Sequence, residues 1–272
     1  MLEEAEFGQL ERVLAGLAPL ALAVSGGVDS MTLAFLAHRL APSRATVFHA
    51  VSPAVPPEAS ARVREHAARH GWRLQVIDAG EFRDPDYLRN PANRCFFCKT
   101  NLYGAIAART EARIASGTNL DDLDDWRPGL AAARAEGVVH PYVEAGIDKA
   151  GVRRLARTLG LPELAALPAA PCLSSRLQTG IRVMPEMLAF VHAVERLVDR
   201  ALTPETARCR IRRDGVTIEL DLASLQRIDR DESAGLRAEL VRLCARHDRP
   251  GTLRFEAYRR GSAFERPEPH GL

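Results

Sequence analysis

Lysine is nearly absent from this chain: of its 37 basic residues only Lys99 and Lys149 are lysines, and the rest are arginines. Where a basic surface serves solubility alone the sequence uses Arg, so each Lys kept against that bias is a candidate point charge at a site. Charge of one sign is lacking too. A formal net charge of +2 gives little to hold a duplex or an RNA surface, and aromatic–basic interleaving is missing, so nucleic acid is not an expected partner. No apolar run approaches membrane-spanning length, so no membrane span is expected. The acidic opening, Met1–Phe7, is not expected to act as a signal peptide. Five cysteines in 272 residues are an odd number, which argues against a disulfide framework and for a reducing cytoplasm. A hydrophobic content of 46% excludes a largely disordered chain.

What is present is organised around Ser25-Gly26-Gly27-Val28-Asp29-Ser30. The apolar run Leu20–Val24 ahead of it is long enough for one buried strand. Behind it Met31, Leu33, Ala34, Leu36, Ala37 and Leu40 recur at helical spacing. A strand that turns through two glycines and two serines into a helix makes a phosphate cradle, because the glycines allow close backbone approach and the first-turn N–H groups point at the anion. The lysine of the G-x-x-x-x-G-K-[ST] loop is missing. Asp29 is a carboxylate in a phosphate site, which makes chemical sense with Mg2+ between them.

Along the chain, helices are expected at Glu3–Leu17, Pro57–Arg69 (closed by Gly71), Phe96–Ala108, Leu130–Glu136 and Lys149–Leu159. Strands are expected at Ala45–Val51, Trp72–Asp78, Arg113–Ser116 and Val138–His140. This alternation predicts an α/β fold, a parallel sheet with helices on both faces. Ligands bind at the carboxyl ends of such strands, which gathers the Ser25 loop, His49–Val51, Asp78 and Ser116–Asp122 on one rim. Proline-rich Gly160–Pro171 reads as a linker, giving domains at 1–165 and 185–272 with residues 166–184 between them. The second is a small α+β domain with a helix at Pro185–Ala201, a hairpin, a helix burying Leu236, Leu240, Leu243 and Cys244, and a strand at Thr252–Ala257. With Asp214-Gly215 as a two-residue turn, the hairpin register pairs Cys209 with Leu220 and Ile211 with Ile218. The other face pairs Arg208 with Asp221 and Arg210 with Glu219, and Arg212 faces only Thr217.

Three stretches carry further chemistry. Cys95-Phe96-Phe97-Cys98 opens a helix between Arg94 and Lys99, a setting that lowers thiol pKa and suits redox or metal work. The further ligands of a zinc site are missing nearby. Ser116-Gly117-Thr118-Asn119-Leu120-Asp121-Asp122, with Asp124 and Asp125 behind, gathers carboxylates at a strand end, fit either to hold Mg2+ or to order Arg127. Cys172, in Pro171-Cys172-Leu173-Ser174-Ser175-Arg176, stands in the linker four residues from Arg176.

The Ser25–Ser30 string resembles the PP-loop of AMP-forming ATP pyrophosphatases. With N-R-C-F-F-C-K-T, S-G-T-N-L-D-D-x-x-D-W-R-P-G, P-C-L-S-S-R, R-I-R-R-D-G and Y-R-R-G-S in order, the chain resembles the ATP-dependent sacrificial sulfur transferases of the LarE type from about residue 20 to 262. The resemblance implies ATP held by Ser25, Gly26, Gly27, Asp29, Ser30, Gly117 and Thr118. It implies adenylation of a pyridinium dicarboxylate mononucleotide, with Cys172 then giving its sulfur and becoming dehydroalanine, as in nickel-pincer cofactor synthesis. Arg210 and Arg212 match the substrate-phosphate arginines, and Arg176, Lys99, Lys149, Asp121, Asp122 and Arg259 fall in supporting positions. A homo-oligomer is also implied. In a variant of the chemistry Cys95, Cys98 and Cys172 hold a [4Fe–4S] cluster with one open iron. Cys209 and Cys244 fall on apolar faces and are expected to be inert. Asp214 stands where members commonly carry His, and Ala257 and Arg260 replace the usual Gly and Ser. Competing readings are a tRNA-thiolating PP-loop enzyme, an amide-forming PP-loop ligase and a nucleotide-sensing module.

Overall fold

The computed structural model describes residues 2–124, 126–229, 234–247 and 252–264, the side chains of 2–6, 229 and 234 excepted. The chain divides into two compact units, Met1–Asp84 with Asn93–Ala170, and Pro85–Ala92 with Pro171–Leu272.

The first unit is built on four parallel strands, β1 (Leu20–Ala23), β2 (Ala45–Ala50), β3 (Arg73–Ile77) and β4 (Arg113–Ser116), in the order β3-β2-β1-β4. Alternate residues serve opposite faces. Leu20, Leu22, Val47 and Ala115 enter one apolar cluster, while Ala21, Phe48, Ile77 and Ile114 enter the other. The first cluster includes residues of α1 (Leu2–Leu17), α2 (Val28–Leu40), α3 (Pro57–His70) and, further along the chain, the helix Lys149–Thr158. The second includes Tyr103 and Ile106 of α4 (Arg94–Ala107) and Ala133 of the short helix Gly129–Ala135. The helix Lys149–Thr158 is α5. Gly71 closes α3 at φ +67° as its sequence position predicts. Because β2 and β4 lie on opposite sides of β1, the chain reverses its winding there, and the crevice beyond the ends of β1 and β4 is the switch point where α/β sheets bind ligands.

Two expectations need correction here. Val138–His140 forms only a single-residue bridge, Val139 with Ala115, and not a strand. Gly160–Ala165 is not slack linker: Leu161, Leu164 and Ala165 are buried in the first unit's core around the short helix Pro162–Ala165.

In the second unit β5 (Ala207–Arg212) and β6 (Gly215–Leu220) are antiparallel, and β7 (Thr252–Ala257) runs parallel to β6. α6 (Pro185–Leu202), α7 (Leu222–Asp229) and α8 (Ala234–Arg246) complete the unit. The hairpin register differs from the expected one by two positions. Arg208 pairs with Glu219, Cys209 with Ile218, Arg210 with Thr217 and Arg212 with Gly215, so the turn is Arg213-Asp214. The physical reason lies in β7. Gly215 is inside the strand at φ +144°, where a Cβ would meet the Thr252 carbonyl oxygen at 2.4 Å, so this glycine serves a close approach and not the turn.

Candidate active site

Gly26 takes φ +84°, and a Cβ there would lie 2.7 Å from the Ala59 carbonyl oxygen. Only glycine fits, and the chain bends sharply into α2. The Ser30 hydroxyl lies 3.3 Å from the Gly27 carbonyl and donates to it. Having spent its one proton, it accepts from the Ser25 N–H at 3.1 Å and from the Ser25 hydroxyl at 3.2 Å. The N-cap of α2 is Gly27, so no side chain of that residue competes with an anion for the first-turn N–H groups. The loop is thus held in shape by its own hydroxyls.

The loop after β4 closes on it. A Cβ on Gly117 would come within 2.7 Å of Ser30 N and 2.9 Å of the Asp29 carbonyl carbon, so the Ser116-Gly117-Thr118 backbone rests directly on the start of α2. Asn119 donates from Nδ2 to Asp29 Oδ1 at 3.3 Å, and the Lys149 ammonium pairs with Asp29 Oδ2. The Tyr142 hydroxyl donates to the Asp29 carbonyl oxygen at 3.1 Å. Burial, reinforced by the Asp29 charge, pushes the phenol of Tyr142 far above its ordinary value, so it stays a donor. Thr118 Oγ1 lies 2.9 Å from Ser116 Oγ, which in turn lies 2.9 Å from His140 Nδ1. Burial holds His140 below the ordinary histidine range, partly opposed by the Asp122 charge.

The Asp122 carboxylate is not open. It accepts the Asn119 N–H at 3.2 Å in a capping box and pairs with Arg127 at 2.7 Å, the second of its two expected uses. Asp121 is exposed on the same turn, and Asp125 lies outside the described residues. No group of three or more His, Cys, Asp or Glu among the described residues is arranged to hold a metal ion. Asp29 is one carboxylate at the start of α2 whose oxygens are engaged by Asn119 and Lys149, so it would supply at most one ligand to a Mg2+ and the remainder would have to come from elsewhere. Lys99 lies in α4 with its ammonium 5.6 Å from the Tyr103 ring, and Gly129 packs against its stem. Cys95 and Cys98 stand one turn apart in α4, both half-buried. No disulfide joins any of the five cysteines.

The second unit carries Cys172, half-buried at the N-cap of the 3-10 turn Leu173–Arg176, whose four residues are all buried. Residues expected as spacer are therefore packed. Leu177 bridges to Ile211, and the Tyr87 and Ser174 hydroxyls lie 2.7 Å apart. Arg176 fixes the turn from within. Its Nη1 donates to the carbonyls of Pro171 at 2.6 Å and Cys172 at 3.2 Å, while Nε and Nη2 grip Glu195 at 2.9 and 3.0 Å. Burial works against the Arg176 charge, and the Glu195 carboxylate outweighs it, so the guanidinium stays ionised. The Cys209 and Cys244 thiols are buried, and burial pushes both above the ordinary range, Cys209 far above. They are inert packing residues.

The arginine strand is compensated, contrary to the expectation that Arg212 lacks an acidic partner. Glu219 and Glu256 are neighbours across β6 and β7, and their like charges are answered by β5. Arg210 reaches Glu219 at 2.9 Å, and Arg212 reaches Glu219 at 3.1 Å and Glu256 at 3.3 Å. Arg210 also donates to the Ser175 carbonyl at 3.1 Å, tying the cysteine turn to the sheet. Arg212 is the more open of the two, and its buried Nε–H finds no acceptor among the described residues. Arg259 is exposed, 3.9 Å from Glu256. The motifs of the sequence assign no role in the site to Asn119, Tyr142, His140, Glu195, Glu219 or Glu256. The Asn119-x-x-Asp122 capping pattern is the one local signal available, since the others depend on pairings distant in the chain.

No protein-family model matches the chain. It is 35% identical over 233 residues to the uncharacterized protein slr1717 of Synechocystis, spanning 84% of each chain. It is 28% identical over 209 residues, 75% of each chain, to the pyridinium-3,5-bisthiocarboxylic acid mononucleotide synthase of Lactiplantibacillus plantarum. The uncharacterized protein MJ0830 of Methanocaldococcus jannaschii is 24% identical over 178 residues, 64% of this chain and 67% of that one.

Proposed function

This chain belongs to one family with the Synechocystis protein slr1717, and we propose that it is an ATP-dependent sulfur transferase that converts a carboxylate of a pyridinium dicarboxylate mononucleotide to a thiocarboxylate. The observation that carries this reading is Cys172, a half-buried cysteine at the head of a turn locked by buried Arg176 paired with half-buried Glu195. The Lactiplantibacillus relative is named for a pyridinium-3,5-bisthiocarboxylic acid mononucleotide, which supports a pyridinium mononucleotide substrate and a thiocarboxylate product; the role in nickel-pincer cofactor synthesis is the one the motifs' resemblance implies.

A carboxylate is a poor acceptor for a thiolate, and adenylation supplies a leaving group. ATP would lie with its β- and γ-phosphates on the N–H groups of Ser25–Ser30, and Gly117 and Thr118 would close over it. A substrate carboxylate oxygen attacks the α-phosphorus, and pyrophosphate leaves with the electron pair of the broken P–O bond. Lys149 and the helix start stabilise the charge that builds on it. Mg2+ at Asp29, when bound, would neutralise the same phosphate charge. The Cys172 thiolate then forms a C–S bond at the acyl carbon while AMP departs. Loss of the Cys172 Cα proton and cleavage of its Cβ–S bond leave the sulfur on the substrate and dehydroalanine in the chain, so each molecule works once. Arg176 holds the Cys172 backbone throughout, and Arg212 takes the substrate phosphate.

In a second route Cys95, Cys98 and Cys172 would supply three thiolates to a [4Fe–4S] cluster able to carry sulfide, although no group of three or more His, Cys, Asp or Glu among the described residues is arranged to hold a metal ion. Two measurements test the reading. Pyrophosphate release should require both ATP and the mononucleotide, and Cys172→Ala should keep that release while forming no thiocarboxylate. Thiocarboxylate formed by Cys172→Ala would sink the assignment. A brown protein with near-stoichiometric cluster iron after anaerobic purification, lost in Cys95→Ala, would select the second route.

A further inference from the structure

His49, next to last in β2, is wholly buried behind the exit of β1. Its Nδ1 lies 2.8 Å from the Val24 carbonyl oxygen and its Nε2 lies 2.9 Å from the Ser60 hydroxyl. A carbonyl can only accept, so Nδ1 carries the proton and donates, and Nε2 accepts from Ser60. Burial, with Arg64 adding to it against the Val24 bond, holds the ring below the ordinary histidine range and keeps that tautomer neutral.

Val24 is the residue between β1 and the Ser25–Ser30 loop. Its N–H still bonds to the Phe48 carbonyl at 2.9 Å, as a ladder residue's would. Its carbonyl instead meets a side chain, and there the backbone ladder ends and the turn begins. Ser60 belongs to α3, and α3 itself meets the loop at two points. Arg62 Nη1 donates to the Gly26 carbonyl at 2.6 Å, and the Ala59 carbonyl is the atom that forbids a Cβ on Gly26. Two contacts from α3 thus fall on Gly26 and one from β2 falls on Val24, with Ser60 of α3 holding the far side of the His49 ring.

We propose that His49, with Ser60 and Arg62, is a positioning residue for the loop, forming a bracket that fixes Val24 and Gly26 and so aims the N–H groups of Ser25–Ser30. His49 is sealed from solvent and cannot touch a nucleotide, so its effect on binding passes through the backbone of Val24. The link to phosphate binding rests on the reading of the loop under Proposed function, whereas the bracket itself is a property of the unliganded chain.

Hydrogen exchange of the full chain, with and without ATP, tests both and separates them. In His49→Ala and Arg62→Ala, amides of Ser25–Ser30 should exchange about tenfold faster, the effect of losing one buried hydrogen bond. Peptides from α1 and α4 should keep their protection. His49→Gln, whose amide can donate to Val24 and accept from Ser60, should restore much of the loop's protection, and ATP affinity should follow the same ranking. If His49→Ala does not fold, Ser60→Ala and Arg62→Ala carry the test. Unchanged loop exchange in every folded variant, or a rise shared equally by the whole unit, would overturn the bracket. Faster loop exchange in variants of a wild-type chain that binds no ATP would keep the bracket and reject the phosphate reading.

Discussion

Lys149, at the first position of α5, extends its ammonium to the carboxylate of Asp29, 120 positions earlier in the chain. The two are joined at the start of α2, where Asn119 and Tyr142 also bond to Asp29. In a chain with two lysines, this one is held at the start of α2, beside the Ser25–Ser30 loop. Lys149→Met removes a charge-assisted contact worth about 1.5–3 kcal/mol. Substrate-dependent pyrophosphate release should fall about tenfold or more, with the thermal midpoint little changed because the pair is partly solvated. Stopped-flow pyrophosphate detection measures it, and release at the wild-type rate would remove Lys149 from the site.

Arg210 and Arg212 should separate into different roles. Glu219 is wholly buried and takes both arginines, so Arg210→Ala leaves a buried carboxylate with Arg212 alone. Breaking a buried pair costs about 3–5 kcal/mol, and the remaining Arg212 should hold the loss near the lower end. Arg212→Ala should cost less stability and weaken substrate binding about tenfold. Urea midpoints and substrate titration for both variants check this. Equal loss of stability with no separation in affinity would contradict it.

The first unit's sheet was legible because the inner strand β1 is apolar on both faces, the strands beside it carry short apolar runs, and helical periods separate them. Arg113–Ser116 and Thr252–Ala257 coincide with their expected spans. The hairpin register was not legible. Asp214-Gly215 looks like a turn from β5 and β6 alone, and only the approach of Thr252 shows why Gly215 must lie in the strand. The same blindness made Arg212 look unpaired, because Glu256 is brought beside Glu219 by a strand some forty residues away. The prolines of Gly160–Pro171 signalled a break in regular structure, yet could not show that Leu161 and Leu164 fill the first unit's core. In the candidate site the motif residues stood out and His49 fell in the expected rim stretch His49–Val51, whereas the bonds of His49 to Val24 and Ser60, of Tyr142 to Asp29 and of Glu195 to Arg176 join residues distant in the chain and leave no local pattern.

Acid should destabilise the protein in a defined window. His66 and His70 have ring centroids 5.5 Å apart beside Trp72 and Phe35. Burial lowers both from the ordinary 6.5, and the neighbouring charges of His70 on His66 and of Arg69 and His38 on His70 lower them further. The unfolded chain therefore binds protons at a higher pH than the folded one. Stability is complete above about pH 6.5 and falls as pH drops through the folded values. Denaturant midpoints between about pH 8 and about pH 5 should show this slope, and His66→Gln with His70→Gln should flatten it in part, since burial also lowers His49 and His140. A midpoint that rose on acidification would contradict the assignment.

The central claim is that the sulfur transferred is that of Cys172, and the intact mass of the chain after incubation with ATP and the pyridinium dicarboxylate mononucleotide tests it most directly. The account predicts that each chain loses the elements of one molecule of hydrogen sulfide, that peptide mapping places dehydroalanine at position 172, and that Cys172→Ala keeps its mass. Thiocarboxylate product formed while the wild-type chain retains its full mass would contradict it.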